Sequence, residues 1–196
     1  MIKHFEPYIE FRPYSAKVSL RTPEGKEVFI EIGAGSSFGL EHRTTRLCIR
    51  GIEEVFRERK IRTVLDLGCG SGILSISAVA MGAEKIVAID IDRVAAEEAR
   101  RNVELNNMGS KIHVICGSIY DIEERFELVV ANIATDDLLF MSERIKGSVE
   151  PGGVLLVSGI SDLNKKKAVS RFYDMGFRLN RSFEEEGWVA IWFDYL

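Results

Sequence analysis

Three glycines crowd a single turn in the stretch VLDLGCGSGILS, directly after an apolar run that ends in a carboxylate. The pattern, Asp66-x-Gly68-x-Gly70-x-Gly72, leaves the backbone bare where a strand would turn into a helix. A turn of this kind lets a compact ligand lie against main-chain N–H groups at the start of the helix. It therefore predicts a site for a nucleotide-like ligand, and the two candidates are a dinucleotide and S-adenosylmethionine.

The position of the third glycine separates these two candidates. A dinucleotide site has the pattern G-x-G-x-x-G, but here its last position is Ile73, and the extra glycine comes one place earlier. Asp90 closes the apolar run KIVAID 18 residues after Gly72. A carboxylate there can accept hydrogen bonds from both hydroxyls of a ribose, whichever of the two ligands is bound. The glycine pattern favours S-adenosylmethionine, with Asp90 as the ribose ligand.

Alternating strands and helices must position these residues. Short apolar runs predict buried parallel strands at about 62–67, 85–90, 111–116, 126–132 and 152–159. Intervening segments predict helices at about 71–81, 93–107, 134–148 and 162–175, and Thr44 or Thr45 is predicted to cap an earlier helix that runs to about Lys60. The closing stretches FRLNRSF and WVAIWF predict an antiparallel hairpin. The fold class is therefore α/β, with a doubly wound, mostly parallel, seven-stranded, Rossmann-like sheet.

The beginning of the chain has a different pattern. VSLRTPEGKEVFIEI alternates around Pro23-Glu24-Gly25 and predicts a β-hairpin. Residues 33–43 are rich in glycine and serine and are predicted to form a loop. We therefore predict a hairpin and loop extension over residues 1–43 and an S-adenosylmethionine-binding domain over residues 44–196.

The predicted sheet brings the candidate site together. Ligands of such sheets lie at the carboxyl ends of the strands, where the strand order reverses. Four segments meet there: Asp66–Gly72, Asp90-Ile91-Asp92, Gly117–Asp121 and Asn132. Within them the predicted cofactor contacts are Asp66, Gly68, Gly70, Asp90, Ile91, Ser118, Ile119 and Asn132. Asp66 can hold an ammonium group or orient the glycine turn through hydrogen bonds.

Composition narrows the possible classes of protein. The net charge of −4 provides no overall basic field for nucleic acid, and no apolar stretch is long enough to span a membrane. The start MIKHFEPYIEFRPY has no signal-peptide core, so we expect a cytoplasmic protein. The three cysteines form no CxxC pair, which predicts no metal site, and Cys48 and Cys116 are predicted to be small core residues.

Several stretches resemble the class I S-adenosylmethionine-dependent methyltransferases, and among them the PrmA-type ribosomal-protein methyltransferases. These stretches are FGLEHRTT at 38–45, VLDLGCGSGILSISAVAMGAEKIVAIDID at 64–92, VVANI at 129–133, GGVLLVSGI at 152–160 and the terminal EEEGWVAIWF. The resemblance implies that Thr45 and Gly68 contact the cofactor and that Asp90 binds its ribose. It also implies that Asn132 lies beside the methyl group and the incoming substrate. From its residue type alone, Thr45 is equally well explained as a helix cap.

Two departures limit what the resemblance implies. Leu40-Glu41 replaces a longer, glycine-rich stretch of the family, so we expect a different lid over the pocket. The family also carries a large N-terminal module that recognises the ribosomal protein, and only the short segment before residue 43 stands in its place here. The resemblance therefore does not carry over a ribosomal-protein substrate.

The expected chemistry is an in-line methyl displacement that depends mostly on positioning. Asn132 is the predicted catalytic residue, because its side-chain oxygen can accept a hydrogen bond from an amine and orient the lone pair. The sequence Ala-Asn-Ile, in place of the Asn-Pro-Pro-Tyr of amide and base methylation, favours an amine, carboxylate or hydroxyl acceptor. His42 is either a base at the mouth of the pocket or a surface loop histidine.

We therefore predict an S-adenosylmethionine-dependent methyltransferase that acts on a protein amine, either a lysine or an N-terminus. An RNA or small-molecule methyltransferase on the same scaffold is the second hypothesis. A non-catalytic domain that binds a cofactor or a partner is the third, and a dehydrogenase is the fourth. Cofactor-binding measurements would distinguish the dehydrogenase from the rest.

Overall fold

A computed structural model describes residues 9–11, 14–35 and 42–196, which form two sheets flanked by helices. The strands are β1 (Ile9–Phe11), β2 (Ser15–Arg21), β3 (Glu27–Gly33), β4 (Thr63–Leu67), β5 (Lys85–Asp90), β6 (Ile112–Cys116), β7 (Phe126–Asn132), β8 (Val149–Ser161), β9 (Phe177–Glu185) and β10 (Trp188–Tyr195). The helices are α1 (Arg43–Glu58), α2 (Ile73–Met81), α3 (Arg93–Leu105), α4 (Thr135–Phe140), α5 (Ser142–Ser148) and α6 (Lys165–Asp174). Short 3-10 turns span Ile119–Asp121 and Asp162–Asn164.

The larger sheet has the strand order β6-β5-β4-β7-β8-β10-β9. Neighbours from β6 to β8 are parallel, whereas β10 is antiparallel to both β8 and β9. The chain builds outward from β4 to β6 and then returns to β7 on the other side of β4. This reversal between β4 and β7 opens a crevice at their carboxyl ends. The predicted doubly wound, mostly parallel sheet of seven strands is confirmed, as is the N-terminal hairpin.

The hydrophobic core lies on both faces of the larger sheet. Successive residues of a strand point to opposite faces, so Val64 of β4 belongs to one buried cluster and Leu65 to the other. The first cluster includes α1, α2 and the inner side chains of β2 and β3, and the second includes α6. Burial on both faces explains why the parallel strands are continuous apolar runs in the sequence.

The small sheet is fixed to α3 by two asparagines. Glu31 N of β3 donates to Asn106 Oδ1 at 2.9 Å, and Asn106 Nδ2 donates back to Glu31 O at 2.6 Å. Gly33 N donates to Asn102 Oδ1 at 2.8 Å. These side-chain amides satisfy the outer edge of β3 as another strand would. Because β2 and β3 also share the first core cluster, we propose that the boundary near residue 43 separates two sheets of one folding unit.

Several local predictions were wrong. Helix α1 begins at Arg43 with His42 as its cap, and not with Thr44 or Thr45. The single helix predicted over 134–148 is divided at Met141 into α4 and α5. Cys116 is exposed, because it ends β6 at the edge of the sheet, whereas Cys48 is buried as predicted. The lid difference expected at Leu40-Glu41 falls outside the described residues.

Glu53 is a buried carboxyl where the small sheet meets α1. It is 4% exposed, and its Oε1 accepts a hydrogen bond from Arg21 N at 2.8 Å. Burial raises the pKa of Glu53 from 4.5 to about 7. The folded protein therefore binds this proton more tightly than the unfolded chain does. It follows that the contribution of Glu53 to the free energy of unfolding falls as the pH rises from 4.5 towards 7.

Replacing Glu53 by glutamine keeps the acceptor oxygen for Arg21 and removes the ionisation. We expect Glu53→Gln to match the wild type near pH 5 and to exceed its free energy of unfolding by about 2 kcal/mol at pH 8. Urea denaturation at several pH values between these limits measures the difference. Glu104→Gln is the matched control, because Glu104 is exposed on α3. Parallel stability curves for the wild type and Glu53→Gln would contradict the prediction.

Candidate functional site

A cavity of about 990 Å³ lies at the carboxyl ends of the parallel strands, beside the crevice between β4 and β7. Eight of the residues singled out from the sequence line it: His42, Gly68, Gly70, Asp90, Ile91, Ser118, Ile119 and Asn132. Thr45 and Asp66 lie behind this wall and are only 2% and 1% exposed. The cavity is at the upper end of the usual size range for small-molecule sites.

The glycine turn is held against β5 by its own backbone. Gly68 N and Cys69 N both donate to Ile89 O, at 2.8 and 3.1 Å. Gly68, Gly70 and Gly72 all have positive φ angles, of +70°, +53° and +79°. Side chains other than glycine rarely adopt this backbone conformation, so the three glycines are needed for the turn itself. The turn presents main chain, free of side chains, to the cavity.

Asp66 ties the end of β4 to the first turn of α2. Its Oδ2 accepts hydrogen bonds from Ser75 N at 3.0 Å and from Ser75 Oγ at 2.6 Å. Its Oδ1 is buried and has no hydrogen-bond partner among the described residues. Burial raises the pKa of Asp66 to about 6. These contacts tie β4 to α2 on either side of the glycine turn, and the predicted contact of Asp66 with an ammonium group of the ligand stays a prediction.

Asp90 links two loops at the cavity. Its Oδ2 accepts a hydrogen bond from Gly70 N, and its Oδ1 accepts one from Asp92 N, both at 2.9 Å. Each carboxylate oxygen can accept more than one hydrogen bond, so both keep capacity for a ligand hydroxyl. The two backbone contacts fix the carboxylate before any ligand arrives.

The segment after β6 forms the next part of the wall. Ser118 caps the short turn that follows it, because Tyr120 N donates to Ser118 Oγ and Ser118 N donates to Asp121 Oδ2. Ile119 is buried at the wall, whereas Ile91 is 80% exposed on the opposite loop. These two isoleucines provide apolar surface next to the polar groups of Asp90.

Asn132 is the last residue of β7. Its Nδ2 donates to Thr45 Oγ1 at 3.4 Å, and its Oδ1 is buried without a hydrogen-bond partner in the described part of the chain. The backbone just after it is held tightly by two glycines. A Cβ on Gly68 would lie 2.6 Å from Ile133 Cγ2, and a Cβ on Gly159 would lie 2.0 Å from Ile133 O. Only glycine at both positions lets Ile133, and with it Asn132, lie where it does.

Gly159→Ala tests this close approach. We expect it to lower the free energy of unfolding by about 3 kcal/mol, because the new Cβ meets the Ile133 carbonyl and the φ of +78° is strained for alanine. Gly152→Ala is the matched control, since Gly152 has a φ of +79° but open space around its Cβ. For Gly152→Ala we expect the free energy of unfolding to fall by about 1 kcal/mol. Equal losses in urea denaturation would show that the contact with Ile133 is unimportant.

His42 has a defined structural role at the cavity. Its Nδ1 accepts a hydrogen bond from Thr44 N at 3.3 Å and caps α1. Burial, with a contribution from the charge of Arg43, lowers the pKa of His42. The neutral ring therefore carries its proton on Nε2 and uses Nδ1 for the cap. This geometry supports a cap in preference to the general base suggested by the sequence.

Trp188 is a cavity residue that sequence reasoning missed. Its ring meets His42 edge to face, with ring centroids 5.1 Å apart, and both side chains line the cavity. Because β10 runs antiparallel to β8, its first residue lies opposite Ser161, at the carboxyl end of β8. The sequence did contain a signal for Trp188, because an aromatic residue starts the predicted antiparallel strand directly after a glycine turn. The start of α4, with Asp136 and Asp137, was also missed and lines the same cavity.

Ion pairs hold the turn that carries Trp188. The acidic run Glu184–Glu186 ends β9 and leads into this turn. In the structure its three carboxylates pair with Lys165, Arg46 and Arg43, respectively. The turn is thereby attached to α1 and α6.

Metal-ligand clusters and membrane-spanning helices are both absent from the described residues. No group of three or more histidine, cysteine, aspartate or glutamate side chains in residues 9–11, 14–35 and 42–196 is arranged to hold a metal ion. No helix in these ranges is long and apolar enough to cross a membrane.

Known proteins share both the sequence pattern and the fold. The family model for ribosomal protein L11 methyltransferase (PrmA) matches residues 10–195. A ribosomal protein L11 methyltransferase from an Exiguobacterium species is 38% identical over 172 residues, which are 87% of this chain and 54% of the relative. The chain spans 54% to 62% of the length of the curated relatives it matches.

Solved structures agree with this relationship. A ribosomal protein L11 methylase from Lactobacillus delbrueckii subsp. bulgaricus has a TM-score of 0.73 and 30% identity, over 79% of this chain and 80% of that one. A 16S rRNA N2 G1207 methyltransferase from T. thermophilus, in complex with AdoMet and guanosine, has a TM-score of 0.72. It is 18% identical over 95% of this chain and 52% of its own, and shows the fold alone.

Proposed function

Since this chain belongs to the PrmA family, as its resemblance predicted, we propose that it transfers a methyl group from S-adenosylmethionine to an amine of a protein. The observation that carries the proposal is the buried Oδ1 of Asn132, which lies at the cavity and has no hydrogen-bond partner among the described residues. A buried acceptor without a partner is unfavourable unless a ligand supplies a donor. The N–H of an amine substrate is such a donor.

The residues of the cavity fit S-adenosylmethionine. The Asp90 carboxylate would hold the ribose hydroxyls, and the turn from Gly68 to Gly72 would accommodate the ligand against bare backbone. Asp66 lies behind the wall, so its part in binding would be to hold the start of α2 beside the ligand through Ser75. When bound, S-adenosylmethionine supplies a methyl group on a sulfonium, which is already activated for displacement. The protein then has to position the amine that accepts the methyl group and to exclude other molecules that could accept it.

Asn132 would perform the positioning of the acceptor. An amine reacts only when it is neutral, because its lone pair forms the new bond to carbon. By accepting an N–H of the neutral amine, Asn132 Oδ1 would direct that lone pair towards the centre of the cavity. Asp136 and Asp137 line the same cavity, and their negative charges would attract the ammonium form as it approaches.

We propose that the molecule that accepts the methyl group is a cytoplasmic protein. Ribosomal protein L11 is the first candidate to test, because the relatives are named after it. RNA is a weaker candidate, because the net charge is −4 and two aspartates line the cavity where a polyanion would have to approach. A carboxylate acceptor is disfavoured for the same electrostatic reason. We therefore propose lysine or an N-terminal amine as the methylated group.

Methyl transfer from radiolabelled S-adenosylmethionine tests this proposal. Purified bacterial ribosomal protein L11 and a whole-cell extract serve as separate acceptors, and label is counted in protein, RNA and small-molecule fractions. We expect label in protein, recovered as methylated lysine or a methylated N-terminus after hydrolysis. Label found only in RNA or in small molecules would overturn the choice of acceptor. Absence of label from every fraction would overturn the proposed activity.

A further inference from the structure

We infer that Asn102 is a positioning residue for the cofactor site, which holds the glycine turn and, through it, the carboxylate of Asp90. This role rests on the proposed function and deepens it, because it concerns how tightly S-adenosylmethionine binds. Asn102 lies on α3, outside the lining of the cavity, and is 2% exposed. It therefore acts on a ligand only through the residues that it contacts.

The side-chain amide of Asn102 has a partner at each end. Its Oδ1 accepts a hydrogen bond from Gly33 N of β3, and its Nδ2 donates to Ser71 O in the glycine turn, both at 2.8 Å. A backbone N–H can only donate and a backbone carbonyl can only accept, so these two partners fix which end of the amide faces the turn. The edge of the small sheet thus directs the NH₂ group of Asn102 towards the turn.

The Ser71 carbonyl begins a row of hydrogen-bonded peptide groups in the turn. It shares a peptide group with Gly72 N, which donates to Cys69 O at 2.8 Å. The Cys69 carbonyl shares a peptide group with Gly70 N, which donates to Asp90 Oδ2 at 2.9 Å. All these groups donate in the same direction, and hydrogen bonds in such a chain polarise and strengthen one another. The row therefore runs without a break from α3 to the carboxylate that we propose to bind the ribose.

The glycine turn needs an anchor on the side of α3. Gly70 and Gly72 flank Ser71, and glycine gives the backbone more conformational freedom than any other residue. Helix α2 begins here without a side-chain cap, because its capping residue is Gly72. A Cβ on Gly72 would lie 3.2 Å from Ala99 Cβ, so α3 approaches the turn closely. The hydrogen bond from Asn102 fixes the turn before a ligand arrives, which lowers the cost of ordering it on binding.

Asn102→Ala and Asn106→Ala separate this role from that of holding the small sheet. Both asparagines bind the backbone of β3, but Asn106 forms its hydrogen bonds with Glu31 and with its own helix. We expect Asn102→Ala to raise the dissociation constant of S-adenosylmethionine about fivefold, the scale of one hydrogen bond, and to leave kcat at saturating cofactor unchanged. We expect Asn106→Ala to leave both quantities unchanged, although each variant lowers the midpoint of urea denaturation.

A measurement on the wild type does not require any variant to fold. The side-chain amide resonances of Asn102 and Asn106 are followed in ¹H–¹⁵N spectra while S-adenosylmethionine is added. We expect those of Asn102 to shift, because a ribose hydroxyl on Asp90 changes the polarisation of the whole row, and those of Asn106 to stay in place. In the free protein, the backbone amide resonances of Gly70 and Gly72 should shift in Asn102→Ala and stay in place in Asn106→Ala.

Three results would overturn this role. The first is an unchanged dissociation constant in Asn102→Ala. The second is an equal rise of the dissociation constant in Asn106→Ala, which would assign the effect to the small sheet as a whole. The third is an Asn102 amide resonance that does not respond to saturating S-adenosylmethionine. If the wild type binds no S-adenosylmethionine, the proposed function fails, and the resonances of Gly70 and Gly72 in the free variants still decide whether Asn102 holds the turn.

Discussion

Asn132→Ala is expected to lower kcat for methyl transfer about 100-fold, the scale of loss when a reacting group is misplaced by about 1 Å. The variant removes the Oδ1 that would hold the acceptor amine and also the Nδ2 that donates to Thr45. The glycine turn and Asp90 are unaffected, so S-adenosylmethionine should bind with nearly the same affinity. Single-turnover measurements at saturating cofactor give the rate, and calorimetry gives the dissociation constant.

Asn180→Ala is the matched control for this experiment. Asn180 is an exposed residue of β9, and its Nδ2 donates to Asp194 Oδ2 at 2.9 Å, remote from the cavity. We expect Asn180→Ala to retain the wild-type kcat. A kcat that is unchanged in Asn132→Ala would contradict the proposed role of the amide. A loss of cofactor binding as large as the loss of kcat would instead make Asn132 a cofactor ligand.

The parts of the fold that follow local rules could be predicted from the sequence. The strand predicted at 85–90 coincides with β5 (Lys85–Asp90), because a strand buried on both faces is a continuous apolar run. The division of the helix at Met141 could not be predicted. Its second part is fixed by Arg144, which donates to the backbone oxygens of Ile119 and Ile122. No pattern within residues 134–148 indicates that this segment contacts the loop after β6.

The candidate site also has one part that the sequence predicts and another part that it does not. The glycine turn and Asp90 lie within one strand-helix-strand unit, so spacing alone indicated that they meet. The contact between Thr45 and Asn132 spans 87 residues and depends on how α1 packs against β7. Likewise, the sequence indicates only an ordinary polar helix residue at Asn102. In the structure Asn102 joins β3 to the glycine turn, because its Oδ1 accepts from Gly33 N and its Nδ2 donates to Ser71 O at 2.8 Å. Such contacts are products of tertiary packing and have no local sequence signature.

Asp90→Asn is expected to raise the dissociation constant of S-adenosylmethionine about 100-fold, while kcat at saturating cofactor changes little. Hydrogen bonds to a charged group each contribute about 1.5–3 kcal/mol. Replacing the carboxylate by an amide would weaken the hydrogen bonds to both ribose hydroxyls. The amide that replaces it has one acceptor oxygen and one NH₂ group. Since Gly70 N and Asp92 N both donate to Asp90, the NH₂ group must face one of these donors.

Calorimetry with S-adenosylmethionine measures this effect, and Asp174→Asn removes the same charge from an exposed position at the end of α6 as a control. An unchanged dissociation constant in Asp90→Asn would exclude the ribose assignment. Titration with NAD tests the dehydrogenase hypothesis, because Asp90 would bind a ribose in either ligand. We expect no binding of NAD, since Ile73 stands where the dinucleotide pattern requires glycine. Tight binding of NAD, weakened by Asp90→Asn, would instead identify a dinucleotide-binding protein.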